Sequence, residues 1–184
     1  MRTSSPDAGD QAPPGAATDA PAGPTSLLPE ADLAAWRGFV TTHTRLVRRL
    51  DAELTAAHGM ALVEYEVLFT LFLAGGRLRM SHLAERASLS RSGLSRVVDV
   101  LEHQRLVRRR PDAEDGRAVV ATLTALGTQR LQVARRAHSA TVRRLVLDPL
   151  SAEQKAALAA VWASIDQQLD HQTGSEGREA PPPG

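Results

Sequence analysis

The chain has 184 residues, enough for one domain with tails, and its formal net charge is +1. It contains no cysteine, which excludes disulfides, thiolate metal sites and thiol-based redox sensing. Hydrophobic residues are 42% of the sequence but aromatics only 3%, so a core must be built from Leu, Val and Ala, a composition that favours helix packed on helix. No apolar run approaches the length of a membrane span, and the N-terminus lacks the apolar stretch of a signal peptide. The expected setting is cytoplasmic, with no membrane partner.

From Met1 to Ser26 the sequence is rich in Pro, Ala, Gly, Asp and Ser without apolar periodicity, and 1–28 is expected to be a disordered tail. Pro29 suits the first turn of a long helix, predicted over 29–58. Along it Leu33, Trp36, Val40, His43, Val47, Leu50, Leu54 and Ala57 alternate in steps of three and four, a heptad-like stripe ending near Gly59. Leu62 to Leu73 is nearly all apolar, as expected of a central helix, and Gly75-Gly76 end it. Ser81 is placed to cap a short helix over 81–87, and Ser90 the helix after it.

That next helix has Leu94, Val97, Val98 and Leu101 at i, i+3, i+4 and i+7, the spacing of one buried face. Its other face carries Ser90, Arg91, Ser92, Ser95 and Arg96. Small hydroxyls and guanidiniums fit base edges and phosphates in a DNA major groove. A basic strand with Arg108, Arg109 and Arg110 follows, then the turn composition Pro111 to Gly116, then a second strand ending at Leu123. The sum is a helix-turn-helix with a β-hairpin wing. Between Arg77 and Arg117 ten arginines face six acids, a net +4, while the rest of the chain is −3. Local charge of this kind, rather than the total, marks a nucleic-acid surface.

After the wing a helix is predicted from Thr124 towards Leu147, where Asp148-Pro149 breaks it. Leu131, Ala134, His138, Val142 and Leu145 form its stripe. Ser151 and Gln154 are spaced as a capping box for a last helix, whose stripe is Leu158, Val161, Trp162, Ile165 and Leu169. The end, 173–184, is polar and Pro-rich and reads as a second tail. The fold class is therefore mainly α with a small β wing: a domain over 29–172, in which a winged helix at 62–123 lies between long dimerisation helices at 29–58 and 124–171.

The residues Leu83-Ala84, Leu94-Ser95-Arg96-Val97-Val98-Asp99-Val100-Leu101-Glu102, Leu106-Val107, Asp115-x-Arg117 and Leu123-Thr124-x-x-Gly127 resemble, in order and spacing, those of MarR-type transcriptional regulators. The resemblance covers roughly 30–171. Two positions depart from the family pattern: Arg105 stands where Gly is usual, and Gly116 where Arg is common. The resemblance implies a homodimer built by the terminal helices, bound to double-stranded DNA as a repressor and released from an inverted-repeat operator by a small aromatic or phenolic ligand. It implies that Arg117 probes a minor groove and that Asp115 orients a wing arginine. It points to Trp36, Phe39, His43, Tyr65 and Phe69 as an effector pocket, although each of these has core packing as its alternative role.

The same residues admit other roles. Arg91 and Arg96 have salt bridges to Glu102 or Asp99 as their alternative, and Arg108 to Arg110 that of a solvated edge strand. Six histidines, at 43, 58, 82, 103, 138 and 171, form no HxxxH or HExxH pair, so no metal or other cofactor is expected. No nucleophile–base–orienter set occurs and no Gly-rich phosphate loop follows a strand, so the chain is not expected to be an enzyme. The alternative function is a winged helix that binds another protein and no DNA. Arg108, Arg109, Arg110 and Arg117 together argue against it.

Overall fold

The structure is a computed structural model that describes residues 27–113 and 115–176. In chain order the elements are α1 (Glu30–His58), α2 (Leu62–Leu73), β1 (Arg77–Arg79), α3 (Met80–Arg86), α4 (Arg91–His103), β2 (Val107–Pro111), β3 (Val119–Leu123), α5 (Ala125–Val142), a π-helical turn (Arg143–Leu147) and α6 (Ala152–Glu176). The chain divides within α1 into two units, 1–40 and 41–184. The tail expected over 1–28 lies outside the described residues except for Leu27 and Leu28, as does the second tail from 177 onward. α6 runs to Glu176, past the predicted domain end at 172.

In the second unit α2 is the hub. Its Val67, Leu68 and Leu71 are fully buried, as are Leu83 of α3, Val98 and Leu101 of α4, Val107 and Ala121 of the sheet, and Leu131 and Ala134 of α5. Each large aliphatic side chain so buried stabilises the fold by about 1.5–3 kcal/mol. The corner before α2 is built from side chains. Gly59 takes the left-handed conformation at φ 58°, and the Leu62 N–H donates to Asp51 Oδ1 at 2.8 Å. The Ala61 N–H donates to Glu64 Oε2 at 3.0 Å. Two helix-start N–H groups that would otherwise be orphaned thus find carboxylates.

The sheet has three antiparallel strands in the order β1-β3-β2, one more than the sequence reading allowed. β1 pairs Leu78 with Ala121, and β2 pairs Arg109 with Ala121 from the other side. Ser81 does not cap α3; the helix starts at Met80, with Arg79 as the last extended residue. Ser90 does cap α4, its Oγ accepting the Gly93 N–H at 3.0 Å. Ser151 and Gln154 form the reciprocal capping box: Ser151 N–H to Gln154 Oε1 at 2.9 Å and Gln154 N–H to Ser151 Oγ at 3.2 Å.

Candidate nucleic-acid interface

α4 divides as its sequence demands. Leu94, Val98 and Leu101 are buried, while Ser90, Arg91, Ser92, Ser95 and Arg96 are exposed on the opposite side. The hairpin β2–β3 stands next to it. Side chains alternate along a strand, and Arg108 and Arg110 are exposed while Arg109, between them, is turned the other way and half-buried. Arg117 lies exposed after the turn. The guanidiniums of Arg91, Arg96, Arg108, Arg110 and Arg117 pair with no acid among the described residues. Five cationic groups are therefore available to phosphates or base edges along one helix and one hairpin.

Arg109 differs from its neighbours. Its Nη1 binds Asp99 Oδ1 and, at 3.3 Å, Glu102 Oε2. Its Nη2 donates to the Ser95 carbonyl at 2.8 Å and reaches the Ser95 Oγ at 3.4 Å. Its backbone N–H donates to Glu102 Oε1 at 2.8 Å. The acids that could have neutralised Arg91 or Arg96 are thus occupied by the wing. Asp115 acts on the turn itself: its Oδ1 accepts the backbone N–H of Arg117 at 3.1 Å, and its carbonyl accepts that of Ala118 at 2.8 Å. The contact is to the Arg117 backbone, where the resemblance implied a guanidinium.

Asp112 and Arg79 were not singled out from sequence. Asp112 is buried at the base of the wing, and Arg79 Nε of β1 reaches its Oδ2 at 2.6 Å. The pair ties the third strand to the hairpin. Its one sequence signal is an acid at the mouth of a basic hairpin, and the partner lies in a strand too short to recognise.

The residues proposed to form an effector pocket fall in both units. Trp36 and Phe39 form a tilted pair with centroids 5.9 Å apart in the first unit. In the second, Tyr65 stacks on Phe69 at 5.8 Å and its ring meets His138 at 4.5 Å, while His43 is exposed on α1. Arg135 lies over the Phe69 ring at 5.5 Å. Burial raises the Tyr65 pKa and lowers that of His138, whose Nδ1 is buried without a partner among the described residues. Beside His138 is a cavity of about 330 Å³ between α1 and α5, lined by Leu50, Leu54, Ala57, Thr141 and Glu53. Glu53 accepts from Thr141 Oγ1 at 2.6 Å and pairs with Arg144 at 2.9 Å and Arg49 at 2.6 Å. Those hydrogen bonds, Thr141's first, hold its pKa near 2. No group of three or more His, Cys, Asp or Glu that could hold a metal exists among the described residues.

Residues 58–118 match the family model described as MarR family. The chain is similar to AbsC, a MarR family transcriptional regulator from Streptomyces coelicolor, with 30% identity and a TM-score of 0.74 over 80% of this chain and 99% of that one. The chain belongs to the MarR family. A second MarR family transcriptional regulator from Streptomyces coelicolor, Sco3205, solved in complex with DNA, is 34% identical, with a TM-score of 0.71 over 77% of this chain and 93% of that one. The organohalide-sensing regulator RdhR-CbdbA1625, solved with 2,4-dichlorophenol bound, shares the fold at 16% identity and a TM-score of 0.69, over 84% of this chain and 89% of that one. No curated protein matches the chain.

Two positions of the MarR pattern acquire a physical reason. A Cβ on Gly127 would meet the Leu106 carbonyl oxygen at 2.1 Å, so only glycine lets α5 pass the root of the wing. Thr124 completes that joint: its N–H donates to the Leu106 carbonyl at 3.0 Å and its Oγ1 accepts the Gly127 N–H at 2.9 Å. Arg105, where the family usually has glycine, takes φ 61°. It ends α4 in the left-handed region that glycine occupies without strain. The Leu106 N–H then returns to the Leu101 carbonyl at 2.8 Å and starts β2.

Proposed function

We propose that this MarR-family chain is a homodimeric repressor that reads an inverted-repeat operator with α4 and the wing and is released by a small aromatic or phenolic ligand. The observation that carries the DNA reading is the set of exposed guanidiniums on α4 and the hairpin that have no acidic partner among the described residues, beside the hydroxyls of Ser90, Ser92 and Ser95. The DNA complex of the similar regulator Sco3205 supports it. A homodimer is supported by α6, in which no residue from Ala152 to His171 is buried although Val161, Trp162, Ile165 and Leu169 are apolar. A two-fold protein presents two recognition helices, so the half-sites lie about 10 bp apart. Ligand release rests on the cavity beside His138 and the Tyr65–Phe69 stack, with the dichlorophenol complex of a protein of the same fold in support. A protein-only docking role has no observation in its favour.

The test separates helix from wing. Arg96 takes a base edge, where a bidentate Arg–guanine pair discriminates by about 1–3 kcal/mol. Arg117 enters a minor groove, which attracts arginine where it is narrow. Arg96→Ala is expected to weaken the best site and flatten preference at one or two positions per half-site. Arg117→Ala is expected to weaken many sequences evenly and to lower the salt slope by about one phosphate-equivalent. Affinities on single-base operator variants at two salt concentrations decide it. An unchanged affinity and slope for a folded Arg117→Ala protein would remove the wing from the DNA.

A further inference from the structure

Three successive arginines on β2 have two fates in the structure. Arg108 and Arg110 are exposed and have no acidic partner among the described residues, whereas Arg109 turns back onto α4. One guanidinium meets a carboxylate from Asp99, another from Glu102 and the backbone carbonyl of Ser95. The strand's own backbone adds a bond from Arg109 N–H to Glu102 at 2.8 Å. A hold on both backbone and side chain of the two elements fixes the hairpin against the helix in translation and in rotation.

The charges point the same way. Two acids and one arginine leave the joint at −1, on the side of the molecule that carries the cationic face. An anionic joint beside a polyanion weakens attraction, so these acids do not serve affinity. They serve to hold Arg109. The Ser95 contact links the joint to reading, because Ser95 is itself exposed on the α4 face and its hydroxyl lies 3.4 Å from Nη2.

We propose that Arg109 is a positioning residue for sequence discrimination: it clamps the wing to the recognition helix through Asp99, Glu102 and Ser95, so that α4 and the hairpin meet DNA as one rigid reader, and it makes no phosphate contact of its own. The proposal rests on the DNA-reading function above. It assigns to Arg109 the reverse of the role its neighbours Arg108 and Arg110 have.

The clamp needs a planar fork with several donors, and lysine, a point charge on a flexible stem, cannot replace it. The experiment measures Kd for a selected operator and for random DNA, each at several salt concentrations, with full-length protein. Arg109→Lys, Arg109→Ala and the double variant Asp99→Asn/Glu102→Gln are compared with Arg108→Ala. All three clamp variants are expected to lose about tenfold in the ratio of operator to random affinity, within the range that one mismatched base pair costs. Their charge changes differ in sign, so no purely electrostatic contact makes all three fall together. Arg109→Ala keeps the wild-type salt slope, whereas Arg108→Ala loses about one unit of slope and keeps its ratio. Should Arg109→Ala fail to fold, the lysine and the uncharged-acid variants carry the same test. The proposal is overturned if Arg109→Lys matches wild type, if Arg109→Ala loses slope like Arg108→Ala, or if the double variant keeps its ratio while binding all DNA more tightly. A wild-type protein with no preference for any sequence would instead overturn the DNA reading, and that result appears before any variant is made.

Discussion

The winged helix and α6 are built from similar residues and end up in opposite states. Between Leu62 and Leu123 the apolar stripes close on one another: Val67, Leu68, Leu71, Leu83, Val98 and Leu101 have no exposure. In α6 the stripe Val161, Trp162, Ile165 and Leu169 is 39–56% exposed. A stripe that finds a partner within its own chain makes a core. The α6 stripe stays partly exposed, and we propose that a symmetric second copy covers it. On the proposed dimer, the winged helix closes within one chain, whereas its presentation to a two-fold site needs two.

The largest expected effect breaks the closed half. Leu68→Ala, in the fully buried hub, is expected to cost about 2–5 kcal/mol of folding stability, read from denaturant midpoints. Ile165→Glu breaks the open half and leaves the core intact. Its melting of the winged helix should stay close to wild type, while sedimentation shows monomers and operator affinity falls by about a hundredfold or more as the second half-site is lost. Equal effects of the two substitutions on the core would erase the difference between the two regions. A stable wild-type monomer at micromolar concentration would leave α6 without its assigned partner.

Within the closed half, Arg105→Gly is a smaller and opposite change. Relieving a left-handed arginine is expected to stabilise by about 1 kcal/mol, seen as a raised melting temperature with unchanged DNA preference. The smallest effect concerns Glu53, which joins α1 to the end of α5 and the π turn. Its pKa is near 2 in the folded chain against an ordinary 4.5. The stabilisation is therefore fully present above about pH 4.5 and is lost as pH falls from there towards 2. Thr141→Val removes the strongest of its hydrogen bonds and should shift the acid unfolding transition to higher pH. An unshifted transition would show that Glu53 holds nothing.

Where a local rule is strong, the sequence was enough. The i, i+3, i+4, i+7 pattern of Leu94 to Leu101, the Ser90 cap and the Ser151–Gln154 box all follow from short-range chemistry, and all appear at those residues. β1 did not show itself because three residues have no readable period and Leu78 gains its partner Ala121 only across the fold. The widening of α5 into a π turn at Arg143–Leu147 leaves the apolar spacing almost unchanged, so a single helix to Leu147 was the natural reading. Arg109 illustrates the main limit. Strand alternation already separates it from Arg108 and Arg110, but nothing local says that Asp99 and Glu102 wait on the other side. Its place in the interface is decided by tertiary geometry.

Selection of bound sequences from random double-stranded DNA by the full-length protein tests the dimeric DNA reader as a whole. An inverted repeat whose half-sites are one helical turn, about 10 bp, apart is expected to be enriched. Enriched sites without two-fold symmetry, or no enrichment over the starting pool, would contradict it.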